Sequence, residues 1–295
     1  MIGINDKDDG GVNIMLRNYK FSTNVMRVVV YIILFSLLII TIVPIWMLLV
    51  NATRSTVEIQ QGLAFLPSTH ILENYQILEG RGIEIFQGFR NSLFIAITTT
   101  IITVYFAFLA AYGVVVYDFK GKNLFYSFII LLVLIPTQLS IIGFYQFMSR
   151  LGLTDNYASL ILPGVASAFA VFFGKQYFES VVIKELIDAA RIDGAGELSI
   201  FHRIMMPIAV PGAFTLGIFV FVASWNNFFN AFILISSRSK YTLPMLIRTL
   251  RGDVYRTEYG AIYLGLAITI VPIIIFYVIF SRYIVSGIAM GSVKE

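Results

Sequence analysis

Trp225, Asn226 and Asn227 stand together inside an otherwise apolar run, and Gln138 follows Pro136 inside another. An amide buried in hydrocarbon without a partner costs several kcal/mol, so each must face another helix or a wet cavity. Amides and an indole also suit a saccharide: the amides match hydroxyl groups, and the indole matches the apolar face of a pyranose ring. Two readings are open for these four residues, contact with a solute in transit and hydrogen bonding between helices.

Other chemistry has little raw material. The chain has no Cys, which excludes disulfides, thiolate chemistry and Cys-bound metal. His70 and His202 are its only imidazoles and lie in separate loops, so no metal centre or His-based triad is expected. Neither Gly121-Lys122-Asn123 nor Gly174-Lys175-Gln176 has the Ser or Thr after Lys, or the earlier Gly, that a phosphate-binding loop requires. This chain is therefore expected to hydrolyse no ATP, to need no cofactor and to be no enzyme.

The elements around these residues belong to a membrane. Of the 295 residues 58% are hydrophobic and only 13% charged, about half the usual charged share, which leaves too little polarity to solvate a compact surface. A bilayer core of about 30 Å takes roughly 20 apolar residues of helix. Six segments qualify, at about 28–50, 92–116, 124–147, 158–178, 212–235 and 261–284. The fold expected is all-α, a polytopic membrane protein with six transmembrane helices in a domain spanning 28–295, behind a mobile tail at 1–27. The net charge of +4 suits a chain beside anionic lipid, and the lack of any basic block argues against nucleic acid.

Residues 185–211 break the apolar pattern. Val182, Ile183, Leu186, Ile187 and Ala190 fall on one stripe of a 3.6-residue period; Lys184, Glu185, Asp188 and Arg191 fall on the other. Gly194 lies where a helix needs a left-handed residue to stop, and Ala189, Ala190 and Ala195 keep the tip slim. A second short helix carries Leu198, Phe201, Ile204 and Met205 on its apolar side and is expected to stop at Pro207. A slim knuckle flanked by charge suits insertion into a groove on a partner protein.

This stretch resembles the EAA loop of the permease subunits of binding-protein-dependent ABC importers. That pattern reads Glu-Ala-Ala, three residues, Gly, nine residues, Ile, one residue, Leu-Pro. Here it stands as Asp188-Ala189-Ala190, Gly194, Ile204 and Met206-Pro207, with the spacing kept, Asp in place of Glu and Met in place of Leu. The run AARIDGA is similar to the carbohydrate-importing branch that includes the smaller maltose permease subunit. Leu72-Glu73-Asn74-Tyr75, Asn91-Ser92, Ala110-Ala111-Tyr112 and Trp225-Asn226-Asn227-Phe228 extend the resemblance over nearly the whole chain, although relatives often read Trp-Asn-Asp where Asn227 stands.

The resemblance implies a type I ABC importer permease fold, a second related permease, two ATP-binding subunits and an extracytoplasmic solute-binding protein. It implies ATPase coupling through about 179–211, with Glu185, Asp188, Ala189, Ala190, Asp193, Gly194, Ala195 and Pro207 as coupling residues. A bacterial or archaeal cell membrane is the implied location. An ABC permease for a polyol, glycerol phosphate or peptide remains an alternative. A secondary transporter would need intramembrane carboxylates or basic groups for ion coupling, and the six segments contain essentially none.

Arg17, Lys20 and Arg27 precede the first span and only Arg54 follows it closely, which places the N-terminus inside. Six spans and a cytoplasmic EAA-like loop then put both termini in the cytoplasm. The fifth loop, with Arg238, Lys240, Arg248, Arg251 and Arg256, falls outside against the positive-inside rule. A short amphipathic helix at the outer mouth, with Arg248, Arg251 and Arg256 meeting either an acidic receptor surface or lipid phosphates, would account for that excess. Loop 51–91 is long enough to be an outer structure of its own, as a cap over helix ends or a receptor contact.

Overall fold

A computed structural model describes residues 9–249 and 257–292, with side-chain surroundings for 26–136, 139–249 and 257–280. Among the described residues every regular element is helical. Five helical stretches among the described residues are long and apolar enough to cross a bilayer: 26–52, 85–116, 158–181, 197–225 and 259–280. The first belongs to α1 (Asp9–Ala52), so residues 9–25, expected as a mobile tail, continue the helix; residues 1–8 lie outside the description.

The third expected span, 124–147, is not one helix. α5 (Lys122–Leu134) is 13 residues long, and a 3-10 turn at Thr137–Ser140 separates it from α6 (Ile141–Arg150). Pro136 lacks an N–H and pushes Ile135 into an extended conformation, with φ −78° and ψ 121°, which ends the helix. The fourth span is likewise built in pieces. α7 (Ala158–Ile161) passes through a 3-10 turn containing Pro163 into α8 (Ala168–Val181), whose Ala170 N–H is capped by the Ser167 hydroxyl.

α4 (Ile85–Val116) is the central mast. It lies between α8 and α11 (Met206–Trp225), and buries Ala107, Phe108, Ala111 and Tyr112. α11 and α8 approach so closely at Gly212 that a Cβ there would lie 2.6 Å from the Tyr177 ring. The last helix, α14 (Tyr259–Ser292), packs on α11 and α1.

The end of the bundle where α1 finishes and α4 begins is covered by short helices. α2 (Thr56–Gln60) begins with a Ser55–Glu58 capping box, and α3 (Ile71–Gly80) buries Asn74, whose amide donates to the carbonyls of Ala52 and Arg54 at 3.0 Å each. Loop 51–91 is thus bonded back onto the end of α1. α12 (Phe228–Leu234) and α13 (Leu243–Thr249) fill the space beyond α11.

The fifth expected span, 212–235, is shifted. Its helix ends at Trp225, and Asn227 starts α12 by accepting the Asn230 N–H at 3.3 Å. Asn side chains compete for local backbone groups, which favours a cap over a helix interior. Pro207 does not stop the preceding helix either. It lies in the first turn of α11, after a π-helical turn at Phe201–Met205 that widens the coil ahead of the ring.

Candidate functional site

α9 (Lys184–Ile192) and α10 (Glu197–Ile200) form a hairpin at the end of the bundle opposite α12 and α13. Gly194 ends α9 with φ +82°, while its N–H donates to Arg191 O and the Ala195 N–H to Ala190 O, both at 3.0 Å. This pair of bonds with a left-handed Gly is a Schellman stop.

The two arms divide cleanly between anchor and display. Ile187, Ala190, Ile200, Phe201 and Met205 are buried in one cluster with Ala107, Phe108 and Ala111 of α4. Glu185, Asp188, Ala189, Asp193 and Gly194 are exposed, and Ala195 is half-buried. Of the Ala pair, Ala190 is therefore an anchor and Ala189 faces outward. Ile192, 86% exposed at the tip, and Leu198 add apolar surface to the displayed ridge; Ile183 and Leu186, expected on the buried stripe, are also exposed. Arg191 turns from the charged stripe toward Glu197, with Nε 2.8 Å from Oε1, and lies over the Tyr117 ring.

At the other end the break after Trp225 opens a cavity of about 330 Å³, bordered by Asn226, Phe228, Ile247, Arg248 and Thr269. Trp225 does not face it. Its side chain is 2% exposed, its indole N–H donates to Thr269 O at 3.1 Å, and its ring meets Phe89 edge-on at 5.7 Å. Asn227 is committed to its cap, so Asn226 alone of the triplet is exposed on the cavity. The Arg248 guanidinium lies 4.9 Å and 4.6 Å from the ring centres of Phe228 and Phe232. The side chain of Gln138, and all of Arg251 and Arg256, lie outside the described residues.

Residues 103–290 match the family described as binding-protein-dependent transport system inner membrane component. The chain belongs to this permease family. The arabinooligosaccharides transport system permease protein AraQ of Halalkalibacterium halodurans is 34% identical over 86% of this chain and 92% of its own length. The trehalose/maltose transport system permease protein MalG of Thermococcus litoralis is 31% identical over 85% of this chain and 90% of its own length. A solved bacterial ABC transporter, involved in import of the acidic polysaccharide alginate, has the same fold, with TM-score 0.77 at 22% identity over 89% of this chain and 97% of that one.

In this permease the basic excess of the fifth loop has internal partners. Arg238 donates to the carbonyls of Arg81 and Gly82 at 3.1 and 2.8 Å. Lys240 pairs with Asp155 at 2.9 Å. The helix expected around Arg248 exists as α13, but it is embedded rather than surface-lying: Leu243, Met245, Leu246 and Ile247 are all buried. Tyr112 and Glu197 are the residues that sequence reasoning passed over. The Tyr112 hydroxyl donates to Glu197 Oε2 at 2.7 Å, across 85 positions of sequence. Tyr112 belongs to a quoted motif; nothing local marked Glu197.

Proposed function

We propose that this permease forms half of the translocation pathway of an ATP-driven sugar or oligosaccharide importer. It performs no catalysis itself. Its partners are a second related permease, two ATP-binding subunits and an extracytoplasmic solute-binding protein. The ridge of Glu185, Asp188, Ala189, Ile192, Asp193 and Gly194 seats in a groove of the ATPase, and this ridge is the observation that carries the reading. Closure of two ATPase subunits around nucleotide moves their grooves, and a hairpin fixed to its own bundle carries that movement inward. The hairpin end is cytoplasmic, as are both termini. The sugar class is supported by the transport systems named for the relatives. Asn226 and Arg248 border the outer cavity on the route of the solute.

Reconstitution tests this. Proteoliposomes holding both permeases and the ATPase should take up labelled oligosaccharide only with ATP at the ATPase face and binding protein at the opposite face. The purified permease alone should hydrolyse no ATP. Uptake driven by an ion gradient without ATP would overturn the reading in favour of a secondary transporter.

A further inference from the structure

The hairpin is joined to the bundle in two ways. Through the π-helical turn its second arm runs without interruption into α11. The other connection is polar and runs to α4. One carboxylate, Glu197, accepts Nε of Arg191 at 2.8 Å and Nη2 at 3.3 Å from the first arm, and the Tyr112 hydroxyl at 2.7 Å from α4. Seven residues earlier on α4, the Tyr105 hydroxyl lies 3.2 Å from Nε2 of His202, whose Nδ1 is 2.7 Å from Leu198 O. Residues seven apart lie nearly two turns along one helical face. A single face of α4 therefore holds the second arm at two heights.

We propose that the Glu197–Tyr112 bond is a transmission link that makes α4 a second output of the hairpin, with Glu197 and Tyr112 as positioning residues for coupling. The inference rests on the ATPase-coupling role proposed above. Arg191 locks the two arms to each other through the same carboxylate, so the hairpin turns as one body. The second arm enters α11 only through this π-helical turn, where the hydrogen-bond ladder shifts from i→i−4 to i→i−5. The bond to α4 bypasses that turn. It is charge-assisted, and its hydroxyl belongs to a side chain only 4% exposed. α4 packs along both α8 and α11, so movement entering at Tyr112 reaches the centre of the bundle.

The test uses the complete importer in proteoliposomes, with Tyr112→Phe and Glu197→Gln. Tyr112→Phe keeps the ring packed at 5.6 Å from Phe201 and removes only the hydroxyl. Glu197→Gln keeps the size of the side chain and removes the charge. Three quantities are read: ATPase subunits retained on purification, receptor-stimulated ATP hydrolysis, and sugar imported per ATP hydrolysed. Both variants should retain the ATPase and hydrolyse ATP, while sugar imported per ATP falls by about tenfold, the size expected of one charge-assisted hydrogen bond. The double variant should fall no further than Glu197→Gln alone, because that change already weakens the bond that Tyr112→Phe removes. An unchanged import ratio in Tyr112→Phe overturns the proposal. Loss of the ATPase subunits from either variant also overturns it, by making the bond a support for docking. A wild-type complex that hydrolyses ATP without importing sugar would remove the coupling reading itself, a result visible before any variant is made.

Discussion

The hydroxyl of Ser92, near the start of α4, accepts the backbone N–H of Leu243 at 2.8 Å and so fixes the first turn of α13. Beside it the Asn91 amide donates to the carbonyls of Ser239 and Tyr241, at 2.9 and 3.0 Å. The Leu243 N–H, at a helix N-terminus, has no partner within its own helix. Ser92→Ala should therefore cost about 1–3 kcal/mol by leaving a buried donor unmet. Thermal unfolding of the purified permease measures it. An unchanged midpoint for both Ser92→Ala and Asn91→Leu would mean that α13 is held by packing alone.

Gly194 is constrained by its backbone and not by its neighbours. Its φ is +82°, yet no atom lies within 4 Å of where a Cβ would stand. A left-handed conformation costs an L-residue roughly 1–2 kcal/mol, least for Asn and most for a β-branched side chain. Transport should therefore fall in the order Gly194→Asn, Gly194→Ala, Gly194→Val, with membrane insertion unaffected. Normal import by a well-expressed Gly194→Val variant would refute the coupling role of the tip.

Arg248 and Asn226 border one cavity, so Arg248→Gln and Asn226→Ala should act alike. Each should raise the apparent KM for import by about fivefold, the worth of one modest polar contact, without loss of ATPase subunits. If Arg248→Gln instead left KM alone and made receptor-stimulated hydrolysis less sensitive to salt, Arg248 would be a docking contact for the solute-binding protein.

The clasp around Asp155 should respond to acid. Its carboxylate accepts the Ser237 hydroxyl and the N–H groups of Ser237 and Ser236, at 2.5, 2.8 and 3.0 Å, and pairs with Lys240. The Ser237 hydrogen bonds, then Lys240, hold this carboxyl well below the usual range. A folded-state value depressed below the unfolded one contributes stability above about pH 4, lost as pH falls toward the depressed value. Thermal midpoints between pH 7 and 3 should drop more for wild type than for Asp155→Asn. Equal drops would show that the clasp contributes nothing to acid sensitivity.

Hydrophobic run length and residue spacing alone determined the all-α membrane architecture and the hairpin between the fourth and fifth spans. Both follow from local rules: hydrocarbon demands internally satisfied backbone, which runs of about 20 or more apolar residues supply as helix, and a left-handed Gly is a common helix stop. The buried fate of Ile187, Phe201 and Met205 was legible for the same reason, since a 3.6-residue stripe has to cover something. Pro136 and Pro207 are equally visible in sequence, yet one divides a span and the other sits inside a continuous helix. The difference lies in what precedes each ring: an extended Ile135 before Pro136, and a π-helical turn that widens the coil before Pro207. Tertiary structure alone decided that Trp225 is a core residue, that Arg238 and Lys240 are spent on carbonyls and Asp155, and that Glu197 meets Tyr112. Each of these contacts joins residues 44 to 157 positions apart. A polar group leaving water needs a partner, but nothing local in one sequence says which distant group it will be.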